Sequence, residues 1–338
     1  MILRNIIVRL LDIFYREPHL KRRILNEKHS KIDSFLEKNF NNNHFIFMVD
    51  GRVHHGGMFD RLKGAITVYA IAKALGKEFK IDWSYPFHLD KYLEPVKKHN
   101  NYICDWRTDE QQMTWQSKNF QVVIAYGEFA NPARLWKNRN KEALFYYGYD
   151  SLNEVNAHFG TNYDWGMLYR ELFKPTKYLQ SYLDAFQREI GSEYIAIHTR
   201  WLNLLGDKVE YTDINPELQS TESKNILMNK ALSKIKELFN KAKSEDPTIR
   251  LMIASDSMTF INYIEKEKPD IYVVPGTVKH IDTAGETDDS ENIKMFTDYY
   301  LIAHSKKVYS LWHEGMWKSA FPEYAAKIGG VPFERMTF

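Results

Sequence analysis

The chain has 338 residues, of which 44% are hydrophobic, 14% aromatic and 27% charged, a composition that excludes a disordered chain. Its 46 basic and 44 acidic residues leave a formal charge of +2, so no global field recommends nucleic acid as a partner. The single cysteine, Cys104, excludes an internal disulfide and a cysteine-rich zinc site and points to a reducing, cytoplasmic setting.

A chain of this length exceeds what one core usually serves, so two domains of roughly 150 residues are expected. Residues 1–30 come first, and there Ile2, Leu3, Ile6, Ile7, Leu10, Ile13 and Phe14 recur at helical spacing ahead of Lys21, Arg22 and Arg23. Arg4, Arg9 and Asp12 interrupt the apolar run, which therefore reads as an amphipathic helix and not as a secretion signal or a bilayer span. Two roles stay open for it: lying on the inner face of a membrane through residues 1–24, or docking on the protein's own surface.

Residues 31–175 form the expected first α/β domain, on the acceptor side. HFIFMVDG (44–51) predicts a buried strand, and a loop with Gly56 and Gly57 follows. The next segment predicts a helix that stops at Gly76, and EFKIDW (78–83) a second strand. FQVVIAYG (120–127) predicts another strand, while residues 128–190 alternate loops with helical stretches. In the second domain, 176–338, YIAIHTR, RLMIASD, IYVVPG (271–276) and KVYSLW predict strands. NILMNKALSKIKELFNKAK, SMTFINYIEKEK, ENIKMFTDYYLIAHS and MWKSAFPEYAAKIGG predict the helices between and after them, and DTAGETDDSE (282–291) a solvated loop. Short apolar strands alternating with helices imply parallel sheets covered on both faces, here two Rossmann-like domains with a central cleft at the strand ends.

The polar residues of interest fall at those ends. Gly56 and Gly57 before a helix either cradle an anionic or polyhydroxylic ligand or merely make a tight turn; Asp60 and Arg61 follow them. His198 and Arg200, one residue apart, are either a structural pair or a clamp for a diphosphate, since the guanidinium fork matches phosphate oxygens. Asp256 and Ser257 can bind a ribose or a base edge, or can cap the next helix. The chain lacks the triphosphate cradle, G-x-G-x-x-G, D-x-D, H-E-x-x-H and G-x-S-x-G patterns, and the adjacent His54 and His55 splay apart on extended backbone, so neither metal nor cofactor is expected.

The stretch GGMFDRLKGAITVYAIAKALGKEFKIDW, with Gly56, Gly57, Asp60, Asp82 and Trp83, resembles the start of the nodulation-type fucosyltransferases. IAIHTR is similar to the H-x-R motif of the wider α1,2-, α1,6- and protein O-fucosyltransferase superfamily, IASD to its second motif, and TDYYLIAHSKKVYSLWHEGMWKSAF stands in the place of its third. The family's second arginine is replaced by Trp201, the following acid waits until Asp207, and Trp312, His313 and Glu314 stand in the third motif. The resemblance implies a GT-B glycosyltransferase that uses GDP-fucose as a donor substrate, inverts the anomeric centre without a metal and acts on a glycan acceptor. By motif, Arg200 would grip the diphosphate, His198 would line the donor site, Asp256 would hold the guanosine with Ser257 beside it, and Ser319 with its neighbours, Trp317 among them, would face the phosphates. For the general base Asp60 is the candidate, with Asp207 or Glu210 behind it.

Overall fold

The computed structural model describes residues 44–51, 55–96, 104–106, 121–125, 143–207, 217–268, 270–278, 281 and 287–338. The helix expected over residues 1–30, His54 and Glu210 lie outside the described residues. The chain divides into two compact units, Met1–Asp90 with Glu94–Lys174, and Lys91–Leu93 with Pro175–Phe338.

The first unit is built on strands β1 (His44–Val49), β2 (Glu78–Trp83), β4 (Cys104–Trp106), β5 (Gln121–Ala125) and β6 (Ala143–Tyr147), in the order β4-β2-β1-β6-β5. Every pairing is parallel, and β1 runs in register with β2 from His44 against Glu78 to Val49 against Trp83. Helix α1 (Met58–Leu75) makes the crossover from β1 to β2, starts at the N-cap Gly57 and stops at Gly76, which takes the left-handed φ of 66°. Its residues are buried on most sides, as an apolar helix under a sheet must be. Helices α2 (Leu152–Phe159) and α3 (Trp165–Leu172) complete this unit, and β3 (Leu93–Pro95) pairs separately with β7 (Phe173–Pro175).

The second unit follows α4 (Lys177–Ile190) with strands β8 (Tyr194–Thr199), β9 (Arg250–Ser255), β10 (Lys307–Trp312) and β11 (Phe333–Thr337), ordered β11-β10-β8-β9 and parallel throughout. Strand β8 is interior to the sheet and buried at every residue, which explains the apolar run from Tyr194 to Ile197. Helix α5 (Thr221–Glu245) lies between β8 and β9, α6 (Met258–Glu267) and α7 (Asp289–His304) between β9 and β10, and α8 (Phe321–Gly329) between β10 and β11.

Four expectations are corrected. Residues 128–190 contain β6, which lies between β1 and β5. IYVVPG is no strand: only Tyr272 bridges Met252, and the chain turns away at Pro275 and Gly276. The last helix begins at Phe321, because residues 316–320 form a loop, and the strand β11 follows it. Asp288 to Glu291 do not belong to a loop: Asp288 caps α7, accepting from the Glu291 amide at 2.9 Å while Glu291 accepts in return.

Candidate functional site

His198 is the fifth residue of β8 and only 6% exposed. Its ring stacks on Phe321 with centroids 5.4 Å apart, and its Nδ1 is buried with no hydrogen-bond partner among the described residues. Burial, then the charges of Arg200 and Lys294, push its pKa down to about 3, so the ring is neutral at ordinary pH. An imidazole of this kind offers a ligand one donor or acceptor and no charge. The charge comes from Arg200, half-buried and one residue beyond the end of β8.

The loop after Arg200 is tied to the turn between β9 and α6 from both directions. Asp256 accepts from the Trp201 amide at 2.7 Å and the Leu202 amide at 2.9 Å, one on each carboxylate oxygen. Asp207 reaches the other way: it accepts from the Thr259 amide at 3.1 Å, the Thr259 hydroxyl at 2.9 Å and the Ser257 hydroxyl at 2.5 Å. Ser257, fully buried, accepts from the Phe260 amide at 3.0 Å and is the N-cap of α6. Capping thus falls to Ser257 and not to Asp256, because the Asp256 side chain faces the preceding loop. A hydroxyl chain supports the pair: Trp201 Nε1 donates to Thr199 Oγ1 at 2.9 Å, which donates to Ser255 Oγ at 3.0 Å.

Beyond β10 the loop is closed by Trp312 Nε1, which donates to the Met316 carbonyl at 2.9 Å. Trp317 stands 50% exposed, whereas Ser319 is buried, accepts from the Phe321 amide at 3.2 Å and presents its carbonyl to Arg335 at 3.0 Å. Ser319 lies two residues before the Phe321 ring that faces His198, so the first and third sequence motifs meet. Beneath them Lys294 and Asp298 form a buried ion pair at 2.7 Å on α7.

In the first unit Gly56, Gly57, Asp60 and Arg61 share one turn. The Asp60 carboxylate accepts from the Gly57 amide at 3.3 Å and from Lys63 at 2.6 Å, and remains 45% exposed. Arg61 is buried; its Nε donates to the Gly56 carbonyl at 2.9 Å and its Nη1 to the Tyr85 carbonyl at 2.7 Å, with the guanidinium over the Trp83 ring. These bonds make Arg61 a tie for the loop. Asp50, directly after β1, joins the polar residues expected from the sequence: its carboxylate accepts from the Tyr146 hydroxyl at 2.8 Å and lies 3.8 Å from His55 Nε2. A carboxylate directly after an apolar strand, in MVDG, was the available signal. His55 Nε2 accepts from the Gly51 amide at 3.0 Å, and among the described residues no group of three or more His, Cys, Asp or Glu side chains is placed to hold a metal ion.

Two units of parallel sheet and helix, with polar side chains at the carboxyl ends of the strands, define a GT-B-like α/β protein. Among solved structures the chain is similar to the NodZ fucosyltransferase from Bradyrhizobium, at 15% identity over 85% of this chain and 93% of that one, with a TM-score of 0.52. NodZ α-1,6-fucosyltransferase co-crystallized with GDP matches at 15% identity, 85% and 92% coverage and a TM-score of 0.51. An Arabidopsis thaliana FUT1 variant in complex with GDP matches at 10% identity, over 92% of this chain and 74% of that one, with a TM-score of 0.54. The chain has the fold of these fucosyltransferases. No protein-family profile matches it, and no curated protein matches its sequence. Among the described residues no helix is long and apolar enough to cross a membrane.

Proposed function

We propose that this chain is a glycosyltransferase that moves a sugar from a nucleoside diphosphate donor, GDP-fucose first among the candidates, to a hydroxyl of a glycan, with inversion and without a metal. The observation that carries the reading is the placement of His198 and Arg200 at the end of the interior strand β8, in a fold similar to that of structures containing GDP. Open parallel sheets bind ligands at that edge, and a guanidinium fork matches a diphosphate.

In the proposed reaction the acceptor oxygen attacks the anomeric carbon as the bond to the diphosphate oxygen breaks, and the acceptor proton passes to a carboxylate. Arg200 stabilises the charge that builds on the leaving diphosphate, which is where a preorganised cation has most effect. The neutral His198 ring contributes a hydrogen bond without adding a second buried charge. Asp60 is the proposed base: its carboxylate is exposed at the first turn of α1, although Lys63 competes for one oxygen.

The test begins with thermal shifts against GDP, UDP, ADP and their sugars, since a ligand at a thousand times its Kd stabilises by about 4 kcal/mol. GDP should give the largest rise, and transfer from GDP-fucose should persist in EDTA. Arg200→Ala should leave the melting temperature without ligand unchanged and lower kcat/KM by roughly 10²- to 10³-fold. Retained GDP binding with no transfer to any glycan would favour a nucleotide-sugar-binding protein, and a larger shift with UDP or ADP a different donor.

A further inference from the structure

We propose that Asp256 is a positioning residue for Arg200, acting through the backbone that follows it; the inference rests on the reading of Arg200 as the diphosphate clamp. Leu202 has a φ of 53°, and it is the one non-glycine residue with a positive φ among the described residues. A branched side chain held there costs on the order of 1–3 kcal/mol and persists only where the surroundings fix it. Its side chain is 2% exposed, so packing resists a flip, and its amide is one of the two that Asp256 holds. The other held amide belongs to Trp201, whose fully buried indole packs on Phe260 with centroids 4.7 Å apart.

Arg200 is therefore bracketed. On one side Thr199 is paired in the sheet with Ser255 and Leu311; on the other, the peptide that carries the Trp201 amide is fixed by a charge-assisted bond of 2.7 Å. Asp207 fixes the far end of the same loop to Ser257 and Thr259, so each acid holds the segment that carries the other. Each oxygen of Asp256 accepts one of the Trp201 and Leu202 amides, which makes the carboxylate at this strand end a fastener for the loop. Aim matters because a displacement of about 1 Å in a catalytic group can lower the rate by roughly 10²-fold.

A double-mutant cycle tests this with calorimetric titration of GDP into wild-type protein, Asp256→Asn, Arg200→Ala and the double variant. Asparagine retains the size but sets an NH2 group against an amide N–H. We expect Asp256→Asn to weaken GDP by about tenfold in the presence of Arg200 and by less than about twofold in its absence, because without the guanidinium nothing is left to aim. Equal losses on both backgrounds, or no loss on either, would overturn the positioning role while leaving the diphosphate clamp intact. Unchanged GDP affinity in Arg200→Ala would instead remove the clamp itself. If Asp256→Asn does not fold, Asp207→Asn enters the cycle in its place and is read by the same two backgrounds.

Discussion

The imidazole of His198 sits under influences that act in one direction: burial opposes charging it, and Arg200 and Lys294 repel a proton. Above the unfolded pKa of 6.5 neither state carries the proton and the group adds nothing to the pH dependence. As pH falls below 6.5 the unfolded chain binds a proton that the folded one refuses until about pH 3, so stability declines by roughly 1 kcal/mol per pH unit across that window. His304, lowered by burial, adds a decline of the same sign, whereas Asp298, raised chiefly by burial, opposes it. Urea unfolding between pH 7.5 and 4.5 should therefore show a shallower acid slope for His198→Gln than for wild type. Parallel slopes would mean that the ring is protonated in the folded state.

At the scale of elements, the close approach of α1 to β6 is made at Gly64. A Cβ there would stand 1.9 Å from the Tyr147 carbonyl oxygen, and Gly329 in α8 faces the Ala303 carbonyl of α7 at 1.8 Å in the same way. Glycine to alanine inside a helix ordinarily stabilises by about 1 kcal/mol. At Gly64 the sign should reverse, because backbone must move: we expect Gly64→Ala to be destabilised by about 1–3 kcal/mol or more, read as a lower midpoint in thermal unfolding. The same packing explains what was legible in the sequence. EFKIDW and KVYSLW coincide with β2 and β10 because apolar runs bounded by turns need no partner to be recognised. ALFYY was hidden between polar segments, and IYVVPG has the composition of a strand but pairs through a single bridge. Whether an apolar run becomes a strand depends on the partner backbone that the fold lays beside it over several residues, and no local pattern encodes that.

Over the whole molecule, the chain enters its second unit before the first is finished. Lys91–Leu93 belongs to the second unit, where Tyr92 is 1% exposed and stacks on Phe296 with centroids 4.8 Å apart. The Tyr92 and Tyr178 hydroxyls both donate to Asp289 at the start of α7, and Lys91 pairs with the same carboxylate at 2.7 Å. Tyr92→Ala should lower the stability of the second unit by about 3–5 kcal/mol through the cavity it leaves. Tyr92→Phe should lose about 1 kcal/mol with the hydrogen bond. Guanidinium unfolding monitored in the second unit separates the two; equal losses would assign the effect to the hydroxyl.

By itself the sequence determined the α/β class, the succession of β8, β9 and β10 with helices between them, and the presence of His198, Arg200, Asp256 and Ser257 at strand ends. Those features follow from periodicity and from polar residues interrupting apolar runs, and both are local properties. Tertiary structure alone decided that Asp256 fastens the loop behind Arg200, that Asp207 and Ser257 close the start of α6, that Arg61 ties Gly56 to Tyr85, and that β6 lies between β1 and β5. The reason is that a carboxylate or guanidinium takes its role from the donors and acceptors that reach it. For Asp256 those amides lie more than fifty residues away in the chain and are brought within 3 Å by the pairing of β8 with β9.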